Sequence, residues 1–100
     1  MEPREDVIAV ISRHRTELRG FGVKKIGVFG SYARGQQKKK SDVDVLVEFQ
    51  KGQKTFDNYM DLKFLLEKRL KKRVDLVIKE ALTPALKEHI LSEVKYAQKP

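Results

Sequence analysis

Gly30-Ser31-Tyr32-Ala33-Arg34-Gly35 closes an apolar run, and the chain soon afterwards reads Ser41-Asp42-Val43-Asp44. These two segments hold residue types suited to phosphate chemistry. Where a strand gives way to a helical turn, backbone N–H groups with a helix dipole behind them attract anions. Gly30 permits close approach to that backbone, and the Ser31 hydroxyl adds a donor. Asp42 and Asp44, one residue apart in a strand, point to the same face. Carboxylates held side by side repel unless a cation lies between them. Hard oxygen donors without His or Cys favour Mg²⁺, which combines one or two carboxylates with substrate phosphates. Asp75 interrupts the apolar run Val74-Asp75-Leu76-Val77-Ile78, where an unpaired charge is expensive. A third carboxylate in the same place can share a metal and accept the proton of an attacking hydroxyl. Taken singly, each motif also reads as a turn, a solvated strand end or an edge residue. Their conjunction at compatible spacing favours a site for a nucleoside triphosphate with magnesium.

The elements that must position these residues follow from periodicity. Val7, Ile11, His14 and Leu18 recur at helical spacing, so Arg4–Arg19 is expected to form one amphipathic helix, with His14 packed on its apolar face and Gly20 at its end. Lys25–Phe29 reads as a buried strand, Ser31–Gly35 as a helical turn, and Gln36–Lys40 as a basic loop. Alternation of Val43, Val45 and Val47 gives a second strand over Asp42–Phe49. Tyr59, Leu62, Leu66 and Leu70 mark the core face of a helix over Asp57–Lys71, and Arg73–Ile78 reads as a third strand. Thr83 and Pro84 form an N-cap and first-turn pair opening a last helix to about Tyr96, with His89 on its surface. The short first connection suits antiparallel strands, and the helical crossover makes the third strand parallel to the second. That arrangement brings Asp42, Asp44 and Asp75 to one sheet edge. The fold class expected is α/β (α+β), a small mixed sheet flanked by helices, in a single domain over residues 1–100.

Composition bounds the rest. Hydrophobic residues make up 40% and charged residues 36% of the chain, enough for one modest core under a heavily charged surface. The absence of cysteine excludes disulfides, thiol nucleophiles and Cys-ligated metal centres. No apolar run approaches the roughly 20 residues that span a bilayer, and Met1–Arg19 does not read as a signal peptide, so a cytoplasmic location without membrane contact is expected. The net charge is +8, and residues 21–79 carry all of the excess. A basic surface suits phosphate-bearing ligands or an acidic partner. Lys38, Lys39 and Lys40 form a solvated loop able to steer anions. Lys68, Arg69, Lys71, Lys72 and Arg73 lie at a helix end, where cations complement the dipole. Without interleaved stacking aromatics, direct nucleic-acid binding is not favoured.

The pattern Gly30-Ser31-x-Ala33-Arg34-Gly35, then Asp42-x-Asp44, with Asp75 on a later strand, resembles the signature of the DNA-polymerase-β-type nucleotidyltransferases. The chain is most similar to the minimal nucleotidyltransferases, the MNT partners of HEPN-domain proteins in prokaryotic toxin–antitoxin pairs. The resemblance covers nearly the whole chain, including Thr83-Pro84-Ala85-Leu86 and Ile90. It implies the palm-like nucleotidyltransferase fold, with Gly30 and Ser31 on the β- and γ-phosphates of ATP. It also implies Asp42 and Asp44 on two Mg²⁺ ions, and Asp75 assisting one ion and activating the acceptor. Members of the subgroup transfer AMP to a tyrosine of their HEPN ribonuclease toxin and silence it. Gln36–Lys40 departs from the family by its lysine content. Arg34 has two readings, contact with a phosphate or partner, and pairing with a nearby carboxylate. Two other functions fit the sequence: a non-catalytic module that neutralises its partner by occlusion, and nucleotidyl transfer to a small molecule or RNA with a second subunit. Oligomeric state stays open: a minimal domain with an exposed sheet edge or apolar helix could self-associate or await its partner.

Overall fold

The computed structural model describes residues 3–38 and 40–97. In chain order it contains α1 (Pro3–Arg13), α2 (Arg15–Gly20), β1 (Val23–Phe29), α3 (Gly30–Arg34), β2 (Val43–Phe49), α4 (Phe56–Leu70), β3 (Val74–Ile78), a 3-10 turn (Lys79–Ala81), α5 (Pro84–Glu93) and β4 (Lys95–Tyr96). The sheet order is β3-β2-β1-β4. β1 runs antiparallel to β2, with Phe29 opposite Asp44. β3 runs parallel to β2, with Asp75 opposite Asp44. This is the mixed, helix-flanked sheet that the sequence leads one to expect.

The period-2 side-chain alternation of β2 divides the core. Val43, Val45 and Val47 are fully buried in the larger cluster, with Val7, Ile11, Leu18, Leu62 and Leu66 from the helices. Leu46, on the other face, joins a smaller cluster with Phe29 and with Ile90 of α5. Tyr59 and Leu70 pack at the margin of the larger cluster, as the stripe on α4 implies. Thr55 caps α4, its hydroxyl accepting the Asn58 N–H at 3.1 Å. Thr83 caps α5 ahead of Pro84.

Two expectations about helices are corrected. The helix expected over Arg4–Arg19 is broken at His14 into α1 and α2. The His14 ring Nδ1 donates to the Val10 carbonyl at 2.8 Å, the acceptor that the His14 N–H would use in an unbroken helix. That N–H bonds the Ile11 carbonyl at 3.1 Å instead. A local side-chain bond has displaced a rung of the ladder, and the ring is half-buried rather than fully packed in the core. The last helix ends at Glu93, short of Tyr96. Val94 turns extended, and Lys95 and Tyr96 pair with Val28 and Gly27 as β4. The edge of β1 gains a partner there that further helix would have denied it. His89 is exposed, as expected.

Candidate active site

Three strand ends meet at one edge of the sheet. β1 finishes at Phe29, whose register partner is Asp44, and Asp44 is in turn opposite Asp75. Asp42 precedes β2 on the face that carries Asp44. The start of β3 is fixed twice: the Val43 N–H donates to the Arg73 carbonyl at 2.9 Å, and the Val74 N–H donates to Glu67 Oε2 of α4 at 3.0 Å. The structure thus brings Asp42, Asp44 and Asp75 together as the sequence predicts.

Gly30 opens α3 with a φ of +71°, and a Cβ there would overlap the Asp44 carboxylate. Only glycine suits both the left-handed backbone and that close approach. Buried Tyr32 and Ala33 anchor α3, Ser31 is half-buried, and Gly35 closes the turn with a φ of +73°. The turn therefore lies directly against Asp44.

Burial, then the charges of Asp75 and Asp42, push the Asp44 pKa up to about 6. Arg34 opposes this, and Glu93 adds to it. Crowded carboxylates of this kind are relieved by a cation, and an all-oxygen set suits magnesium. Among the described residues, no three Asp, Glu, His or Cys side chains converge closely enough to enclose a metal on their own.

Glu93 is the site neighbour that sequence reasoning missed. Its Oε2 accepts the Gly30 N–H at 2.8 Å, and its Oε1 pairs with Arg34 Nη1 at 3.0 Å. The backbone donor that the sequence offers to a phosphate is held here by a carboxylate. Of the two readings of Arg34, the structure displays the carboxylate pair, with a further bond from Nε to Gln36. Lys40, Ser41, Asp42, Lys71, Lys72 and Arg73 line one shallow cleft. Lys40 of one basic stretch and Lys71–Arg73 of the other therefore meet beside Asp42, although Lys68 and Arg69 remain in the last turn of α4. Lys39 lies outside the described residues.

Residues 11–97 match the nucleotidyltransferase domain family. The chain belongs to that family. This nucleotidyltransferase is 43% identical over 93 residues to the protein adenylyltransferase MntA of Thermococcus cleftensis, covering 92% of this chain and 93% of the relative. A solved structure described as a minimal nucleotidyltransferase superposes with a TM-score of 0.74 at 37% identity, covering 92% of this chain and 86% of the other. A chain of a toxin–antitoxin complex with AMP-PNP superposes with a TM-score of 0.69 at 25% identity, over 85% of this nucleotidyltransferase and 70% of that chain. No helix among its described residues is long and apolar enough to cross a membrane.

Proposed function

We propose that this nucleotidyltransferase transfers AMP from magnesium–ATP to a hydroxyl of a protein partner, a tyrosine of a HEPN-type toxin, and acts as its antitoxin. The observation that carries this reading is the α3 turn pressed against Asp44, with Asp42 and Asp75 alongside. Support for a protein acceptor comes from the MntA relative, named a protein adenylyltransferase. Support for ATP and for a toxin partner comes from the toxin–antitoxin neighbour that holds an ATP analogue.

In this mechanism Gly30 contributes the room its missing side chain leaves, and the Ser31 hydroxyl donates to a phosphate oxygen. Asp42 and Asp44 are the residues that would hold magnesium, with Asp75 assisting. A magnesium ion held by these carboxylates would supply Lewis acidity to the attacking hydroxyl and to the leaving oxygens. Exposed Asp75 receives the hydroxyl proton. The acceptor oxygen forms a bond to the α-phosphorus, the bond from that phosphorus to the bridging oxygen of the β-phosphate breaks, and pyrophosphate leaves.

The Asp42→Asn/Asp44→Asn double variant is expected to keep its circular dichroism spectrum and lose transfer, read as the absence of the AMP mass increment on the partner. Transfer at the wild-type rate by that variant would sink the mechanism. Protection against the toxin without transfer would show occlusion to be the working mode.

A further inference from the structure

α3 spans five residues, far too few to hold a helical shape without tertiary ties. One tie comes from 59 residues away in the chain, at the end of α5. The Glu93 carboxylate grips both ends of α3: the Gly30 N–H at the start, at 2.8 Å, and the Arg34 guanidinium at the finish, at 3.0 Å. Only 16% of the Glu93 side chain is exposed, against 46% for Arg34. Burial pushes the Glu93 carboxyl up, yet the Gly30 N–H and Arg34 outweigh it and hold the group below its ordinary value. The bound form is the carboxylate, and bonds of this type are charge-assisted. Ser31 lies between the two gripped ends, and Asp44 lies against Gly30.

We infer that Glu93 is a positioning residue for nucleotidyl transfer: it clamps both ends of α3 and so presents Ser31 to the phosphates. The inference rests on the reading of α3 and the three aspartates as the transfer site. It makes the end of α5 a working part of that site rather than a cover for the sheet.

The test is titration of the full chain with magnesium–ATP by calorimetry, comparing wild type with Glu93→Gln, Glu93→Ala and Glu88→Ala. Glu88 is exposed on the same helix and serves as the control. Glu88→Ala is expected to bind as wild type does, and Glu93→Ala about tenfold more weakly, the scale of one lost charge-assisted bond. Glu93→Gln should fall between, because it keeps an acceptor for the Gly30 N–H and loses the charge facing Arg34. This variant also decides the matter if Glu93→Ala does not fold. In an Arg34→Ala background, the loss caused by Glu93→Ala should shrink, since one end of the clamp is already missing. Unchanged or tighter binding in the Glu93 variants overturns the inference, the latter by showing that the carboxylate competes with phosphate. An equal loss in both backgrounds overturns it as well, reducing Glu93 to a general structural support. Failure of the wild-type chain to bind magnesium–ATP would instead overturn the transfer reading on which the inference stands.

Discussion

Asp44 records what the site costs the protein that carries it. Burial and the neighbouring carboxylates of Asp75 and Asp42 raise its pKa from 3.8 to about 6. Between those values the folded chain holds the Asp44 proton more firmly than the unfolded chain does. Unfolding therefore releases a proton, and stability declines as pH rises through that window, remaining lower above it. In metal-free buffer, Asp44→Asn should accordingly melt higher than wild type at pH 7.5, and the gap should close near pH 4. A variant that melts lower at pH 7.5, or a gap independent of pH, would show that Asp44 is not under this repulsion. The same residue was legible in sequence, because a strand that alternates valine with aspartate has a plain physical meaning. Gly30, Asp42 and Asp75 lie beside it, where their local patterns put them, although Asp75 is exposed on its strand rather than a charge buried in an apolar run. Glu93 was not: a single acid at the end of an amphipathic helix looks like any solvated glutamate until the fold carries it to Gly30.

The elements show where local patterns suffice and where they fail. β1, β2, β3 and α4 were read closely because hydrophobic periodicity and caps are written in consecutive residues. The break at His14 was invisible, since it depends on a ring nitrogen taking the Val10 carbonyl at 2.8 Å, against a helical apolar period that continues through it. β4 was invisible because its two residues are defined by pairing with β1, and such pairing leaves no local trace. The coupling of α4 to β3 is of the same non-local kind. Tyr59 Oη donates to the Leu76 carbonyl at 2.6 Å, and Glu67 accepts the Val74 N–H at 3.0 Å, immediately before Asp75. Glu67→Ala leaves that part-buried N–H without its charged acceptor and should cost about 2 kcal/mol in urea denaturation. It should also lower transfer more than an exposed α4 substitution such as Lys68→Ala, because the strand that presents Asp75 loses its anchor. A loss below about 0.5 kcal/mol would place the control of β3 elsewhere.

At the scale of the whole molecule, the +8 charge was apparent from composition, but its focus was not. Lys40 and the Lys71–Arg73 stretch are far apart in sequence, and the parallel pairing of Val43 with Val74 brings them together. They then line the cleft that holds Asp42. A cationic cleft beside the proposed phosphate site concentrates anions there, and the effect weakens as salt shortens the screening length, about 10 Å at 0.1 M. The expected consequence is kinetic. With magnesium–ATP varied, kcat/KM should fall several-fold as potassium chloride rises from about 20 mM to about 300 mM, while kcat changes little. Lys40→Ala/Lys72→Ala should lower the value at low salt and flatten the slope, leaving the high-salt value close to wild type. A slope unaffected by removing both lysines would assign these charges to surface solvation alone. Loss of kcat rather than of the slope would move them from steering into the transfer step itself.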